Sequence, residues 1–137
     1  MTYQDFSFLV RVYIEDADPG GIVYYVNYLK YMERARTEFM RTLGFDRSAT
    51  FSKELMFVVR DIEARYIAPA FLDDELCVTA AVLRVGGASF NLHQSVLRNN
   101  ESIVECDLCL AAVNRSSMMP CRLPKDMFLA LRSEVSL

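Results

Sequence analysis

Residues 14–44 read IEDADPGGIVYYVNYLKYMERARTEFMRTLG, and the change of period inside this stretch decides the fold. Upstream, residues 6–14, FSFLVRVYI, are aromatic and β-branched and run into an acidic Gly-Pro cluster, the pattern of a strand meeting a loop. From about Tyr24 the apolar residues recur with helical spacing, since Tyr28, Met32, Ala35, Phe39 and Leu43 fall on one face. Gly44 is placed to stop that helix. Charged residues flank the apolar face, and Arg34 with Glu38 forms an i, i+4 pair of opposite charge.

Beyond the helix, residues 45–54 carry no period and are expected to form a connecting loop, with room for a short helical turn. The remainder is β in character. Strands are expected in 55–68, 75–85, 89–98 and 102–115, separated by PAFLDD, GGA and NNE, with NNE suited to a tight hairpin. Short connections favour antiparallel meander pairing, and PKDMFLALRSE reads as a Pro-started C-terminal helix or turn. One strand, a long helix and four more strands make an α+β chain with a five-stranded antiparallel sheet. A single helix leaves part of such a sheet uncovered, so pairing with a second copy is expected.

Composition narrows the function. The 137 residues suit one domain, and a content of 53% hydrophobic and 24% charged residues is that of a globular chain. The net charge is −3 with basic residues dispersed, so the footprint of a nucleic-acid binder is absent. No apolar run has the length of a membrane span and the first residues do not resemble a signal peptide, which together predict a cytoplasmic protein. Of the four cysteines, Cys106 and Cys109 lie three apart in a strand and should point to opposite faces. With His93 the single histidine, neither a metal site nor a disulfide framework is expected, and no cofactor is called for.

The chemistry concentrates in Glu15, Asp16 and Asp18, which stand just ahead of Pro19, Gly20, Gly21 and the helix start. Two readings fit. In one, an aspartate caps the helix and the glycines make a turn. In the other, the unpaired N–H groups of the helix N-terminus receive a carbonyl oxygen that becomes negative in acyl transfer. The glycines then admit substrate to the backbone, and an aspartate attacks or activates water. His93, in the middle of a strand, reads as an ordinary strand residue, and no GxSxG elbow occurs.

The stretch YIEDADPGGIVYYVNYLKYMERART, residues 13–37, resembles the signature of hotdog-fold acyl-CoA thioesterases of the 4-hydroxybenzoyl-CoA thioesterase family, and the likeness continues through residues 57–80. That resemblance implies a hotdog fold, a sheet wrapped around one long helix, and a homodimer or homotetramer with active sites at subunit interfaces. It implies an acyl-CoA substrate, Asp18 as catalytic carboxylate, and the Tyr25 backbone amide as the group polarising the thioester carbonyl. Gly20, Gly21, Tyr24 and Asn27 fall on substrate-binding positions, Asp16 on a supporting one, and Tyr28 on a packing one. The LDD and ERART segments resemble the Tol-Pal-associated branch, which usually has histidine where this chain has Tyr25. Val26, Gly86 and Gly87 depart from the 4-hydroxybenzoyl branch, so the acyl group stays open. Arg84 and Arg122 are the candidates for the CoA phosphates, from their placement near strand ends. A hotdog hydratase or dehydratase using His93, and a non-catalytic acyl-CoA binder, are the alternatives.

Overall fold

In the computed structural model, which describes residues 6–46 and 54–135, the change of period becomes a helix. Helix α1, Val26–Thr42, buries Tyr28, Tyr31, Met32, Ala35, Phe39 and Met40, so the expected apolar face is the one that turns inward. Its end is closed at Gly44, whose φ is 97°. The Gly44 N–H donates to the Arg41 carbonyl and the Phe45 N–H to the Met40 carbonyl, each at 3.0 Å. These are the paired bonds of a Schellman closure, which needs a residue tolerant of left-handed backbone. Most of the loop expected at 45–54 lies outside the described residues.

Among the described residues six strands form one antiparallel sheet: β1 Ser7–Arg11, β2 Leu55–Tyr66, β3 Glu75–Thr79, β4 Ala81–Val85, β5 Ser89–Arg98 and β6 Glu101–Asn114. Their order is β1-β3-β5-β6-β2, with β4 also beside β5. Helix α2, Lys125–Ser133, begins directly after Pro124, as its sequence suggests. The hotdog arrangement is present, with α1 packed on the sheet against β1, β3 and β5 and α2 against β4. Val12, Met32, Leu76, Val78, Phe90, Leu92, Val96, Met127 and Leu131 fill the core between them. Each such side chain contributes about 1.5–3 kcal/mol by leaving water.

Two expectations need correction. The first is the strand count, because 75–85 reads as one strand and is two. It keeps one register against β5, with Cys77 opposite Leu97 and Ala81 opposite His93, but the ladder stops at Ala80. The cause is Gln94, which is fully buried. Its amide nitrogen donates to the Thr79 carbonyl (3.1 Å) and to the Met32 carbonyl of α1 (3.0 Å), while the Thr79 hydroxyl accepts the Ser95 N–H (2.9 Å). Side chains have taken the bonds that the ladder would have made. The Gln94 carbonyl accepts from Arg36 (3.1 Å), so the whole amide is satisfied.

The second correction concerns the meander. Strands β2 and β3 are consecutive but do not pair, since β2 lies at the far edge beside β6. Residues 67 and 68 stay bonded to Ile103 of β6, and residues 70–74 bond to the segment ahead of α1 instead of folding back as a hairpin. Meander pairing holds for the later strands, where Asn99 and Asn100 (φ 53° and 68°) form the two-residue turn between β5 and β6. Two left-handed residues are what a type I′ hairpin requires.

Because α1 covers only part of the sheet, the inner face of β2 is left open. Val59, Ile62 and Tyr66 pair with the buried Leu110, Leu108 and Val104, which places them on the inner side, yet they are 45%, 45% and 43% exposed. Cys106 faces inward and Cys109 outward, as strand alternation requires, and all four cysteines are free thiols. Burial pushes the Cys106 thiol up to about 11.

His93 sits on the outer face, one residue from the inward Gln94. Its Nδ1 meets Asp107 at 2.8 Å and its Nε2 meets Glu105 at 2.6 Å, while Ser95 also donates to Glu105 (2.7 Å). Burial works against a charged imidazole, but the two carboxylates outweigh it and hold its pKa above the ordinary histidine range. A raised folded-state pKa stabilises the fold fully below about pH 6.5, and the contribution disappears as pH rises through the folded value. The stability lost on His93→Gln should therefore be greater at pH 6 than at pH 9, by up to about 1 kcal/mol for partly exposed pairs. Urea denaturation of both proteins at the two pH values measures it, and an equal loss at both would refute the assignment.

Candidate active site

The segment between β1 and α1 folds by local rules that its sequence spells out. Ile14–Asp16 makes a single 3-10 turn, and the Asp16 carboxylate accepts the Tyr13 N–H at 2.9 Å. Asp18-Pro19-Gly20-Gly21 is a tight turn in which the Gly21 N–H donates to the Asp18 carbonyl (2.9 Å). Aspartate at the first position and proline at the second are the residues such a turn favours. Gly21 takes a φ of 85°, and the Asp18 N–H donates to the Ile22 carbonyl (2.8 Å). The Asp18 Oδ1 accepts the Gly20 N–H (2.8 Å). Its carboxylate is thus held by its own turn.

Neither aspartate caps α1. The N-cap is Tyr25, with no side-chain capping bond, and among the described residues its N–H has no acceptor. The groups around it are engaged. The Asp16 carbonyl accepts both the Tyr24 N–H (3.1 Å) and the Asn27 side-chain amide (2.8 Å), so the Asn27 amide braces the turn. Asp16, expected to support the site or cap the helix, bonds through its carboxylate to Tyr13 and through its carbonyl to Tyr24 and Asn27. Tyr28 is a packing residue as expected, since it is buried and its hydroxyl accepts the Ala70 N–H (2.9 Å).

Around the free amide stand tyrosine rings. Tyr24 meets Tyr25 edge-on at 5.1 Å, Tyr25 meets Tyr66 at 5.9 Å, and Tyr66 meets Tyr28 at 5.8 Å. Tyr66 was missed in the sequence because it ends β2, forty-one positions after Tyr25, and only strand pairing brings it here. Asp18, Gly20, Gly21, Tyr24, Tyr25 and Asn27 are therefore one neighbourhood. Arg84 and Arg122 are not part of it within one chain. Arg122 lies against Gly87 just beyond β4, whereas the Asp18 turn bonds to residues 70–72, just ahead of β3. At strand spacing the path from Glu75 to Val85 is about 30 Å.

This arrangement, a carboxylate turn leading into a helix with a free first amide over a wrapped antiparallel sheet, has counterparts among known proteins. The thioesterase superfamily model matches residues 20–105. The chain belongs to the thioesterase superfamily. It is similar to the acyl-CoA thioesterase YbgC of Haemophilus influenzae, 41% identical over 122 residues that make up 88% of this chain and 90% of that one. Among solved structures, it is similar to a probable thioesterase from Bartonella henselae, 35% identical with a TM-score of 0.80 over 86% of this chain and 98% of that one. A gentisyl-coenzyme A thioesterase is 25% identical, with a TM-score of 0.83 over 91% and 98%.

The two glycines of this superfamily member have different tasks. A methyl group on Gly20 would lie 3.3 Å from the Asp18 Oδ1, whereas one on Gly21 meets nothing but must adopt left-handed backbone. Gly21→Ala is expected to cost about 1–2 kcal/mol of stability. Gly20→Ala should cost less stability and more thioester turnover, because it displaces the carboxylate. Denaturation curves and thiol release on the two variants test this, and equal effects of both on turnover per folded molecule would contradict it.

Proposed function

We propose that this chain hydrolyses acyl-CoA thioesters to a free acid and CoA. Asp18 acts as nucleophile or general base on the thioester carbonyl, and the Tyr25 N–H stabilises the oxygen that becomes negative. The observation that carries the proposal is the unclaimed Tyr25 amide at the N-terminus of a 17-residue helix. The helix places a partial positive charge there, and a donor that needs no reorganisation is most effective against developing charge. Asp18 is taken as the carboxylate from the family likeness, with its side chain held by the Gly20 N–H as that of Asp16 is held by the Tyr13 N–H. A hydratase reading lacks its histidine, since His93 faces away from α1 with both ring nitrogens engaged. Free thiols fit a reducing compartment such as the cytoplasm.

The same reading requires a second copy. β2 is a long edge strand with an open apolar inner row, and such edges invite pairing. Antiparallel pairing of β2 with a partner's β2 sets the Tyr66 end of one sheet beside the Leu55 end of the other. Val113 and Asn114 close that latter end, next to the segment carrying Arg122, while Arg84, opposite Asn91, lies level with Cys109 and Asp61 part-way along β2. Each CoA would then lie between Asp18 and Tyr25 of one subunit and Arg84 and Arg122 of its partner, which removes the separation seen within one chain.

Asp18→Asn should lower kcat at least about 10²-fold on any acyl-CoA the parent cleaves, as loss of an oxyanion donor does. Tyr25→Phe should stay near parent, because only the backbone amide of Tyr25 takes part. Near-parent turnover by a folded Asp18→Asn protein would overturn the assignment. For the shared site, Asp18→Asn and the double variant Arg84→Ala/Arg122→Ala should each be weak alone and regain activity when co-refolded, because the mixed dimer keeps one intact site. Failure to complement, with mixed dimers confirmed by mass spectrometry, would rule out the partner's arginines.

A further inference from the structure

Residues 69–74, a mere connection in the sequence, are the piece on which the Asp18 turn is mounted. The Val23 N–H donates to the Ala70 carbonyl (2.9 Å), the Leu72 N–H donates to the Gly21 carbonyl (3.2 Å), and Ile22 forms a bridge with Phe71. The end of β1 is tied to the same piece, since the Val12 N–H donates to the Asp74 carbonyl (2.9 Å) and the Asp73 N–H to the Val12 carbonyl (3.0 Å). Those bonds join two irregular segments, and neither is regular enough to set the shape of the other. Residues 69–74 are fastened at Ala70, whose N–H donates to the buried Tyr28 hydroxyl, and at both ends by Arg98, at the end of β5.

The Arg98 Nη1 donates to the Pro69 carbonyl (2.8 Å) and to the Asp74 Oδ2 (2.9 Å). Its guanidinium also lies over the Phe71 ring, 5.5 Å from the centroid. The Asp74 Oδ2 in turn accepts the Phe71 N–H at 2.9 Å. One side chain thereby fastens the first and last residues of the turn and covers the ring between them. About three quarters of each side chain in this ion pair is buried, so the pair is shielded from the solvent that weakens surface pairs. Arg11 makes a further, exposed bond to the Asp73 carbonyl (2.8 Å).

We propose that Arg98 is a positioning residue for the thioesterase site, holding residues 69–74 so that Gly21–Val23, and through them the Asp18 carboxylate and the Tyr25 amide, keep their spacing. The proposal rests on the hydrolytic reading above. Chemically it needs no contact between Arg98 and substrate, only that a small displacement of the carboxylate is expensive, and misplacement by about 1 Å can cost about 10²-fold in rate.

The test uses Arg98→Ala and Arg98→Lys in the full chain, with two readouts. Hydrogen exchange at the Val23 and Leu72 amides reports the joint without any chemistry, and kcat with KM on an acyl-CoA reports the site. In Arg98→Ala, exchange at Val23 and Leu72 should accelerate while that of Leu108 in β6 does not. The kcat should fall by about tenfold to 10²-fold with little change in KM. Arg98→Lys should recover part of the kcat, since it keeps the charge but not the fork. Unchanged exchange at the joint, or parent-like kcat in a folded Arg98→Ala protein, would overturn the proposal. If Arg98→Ala does not fold, the same two readouts on Asp74→Asn decide it. Should the parent cleave no acyl-CoA at all, the hydrolytic reading fails, while the exchange readout still judges the joint.

Discussion

Gln94 reaches from the middle of β5 into the core and bonds at once to the Met32 carbonyl of α1, the Thr79 carbonyl of the sheet and the Arg36 guanidinium. A hydrophobic interface alone would let a helix slide or rotate on a sheet at modest cost, because apolar burial has no direction. A buried amide does have direction, and a buried amide left unpaired costs about 1–3 kcal/mol. The register of α1 on the sheet, and hence the location of its N-terminus, follows from satisfying Gln94. Interruption of the ladder between β3 and β4 is a consequence of the same bonds.

With α1 placed, its first amide opens toward the segment that carries Asp18. That segment is irregular, and its conformation is set by three kinds of constraint. Local turn chemistry shapes Asp18–Gly21, the Asp16 carbonyl ties Tyr24 and Asn27 to it, and residues 69–74 hold Gly21–Val23 from the other side. The arrangement leaves the Tyr25 N–H open while bonding the polar groups beside it. An irregular loop so fully bonded is pre-organised, which is what a site acting by electrostatic stabilisation requires.

The two sheet faces have separate duties. The inner face packs on α1 except along β2, where Val59, Ile62 and Tyr66 remain open beside the tyrosine cluster. The outer face of β5 and β6 is polar and carries His93 between Asp107 and Glu105, a cross-strand clamp remote from α1. Alternation along β5 separates them, so Gln94 and His93, neighbours in sequence, serve opposite sides.

Much of this was legible in residue order. The period of Tyr28, Met32, Ala35 and Phe39 specified α1 and its buried face, Gly44 its end, Asn99-Asn100 a hairpin, and the Asp-Pro-Gly-Gly run a turn, because each depends on residues within a few positions of one another. The family likeness of residues 13–37 marked out the candidate site, and the structure brings Asp18, Gly20, Gly21, Tyr24, Tyr25 and Asn27 together. What the tertiary structure decided involves partners far apart in the chain. Gln94 divides a strand through Thr79, β2 crosses to the sheet edge, Tyr66 joins Tyr25, and Arg98 fastens residues 69–74. Arg84 and Arg122 are carried away from the candidate site. Hydrogen bonds of that span leave no local periodicity, since their geometry exists only once the sheet has set its order and the helix its register.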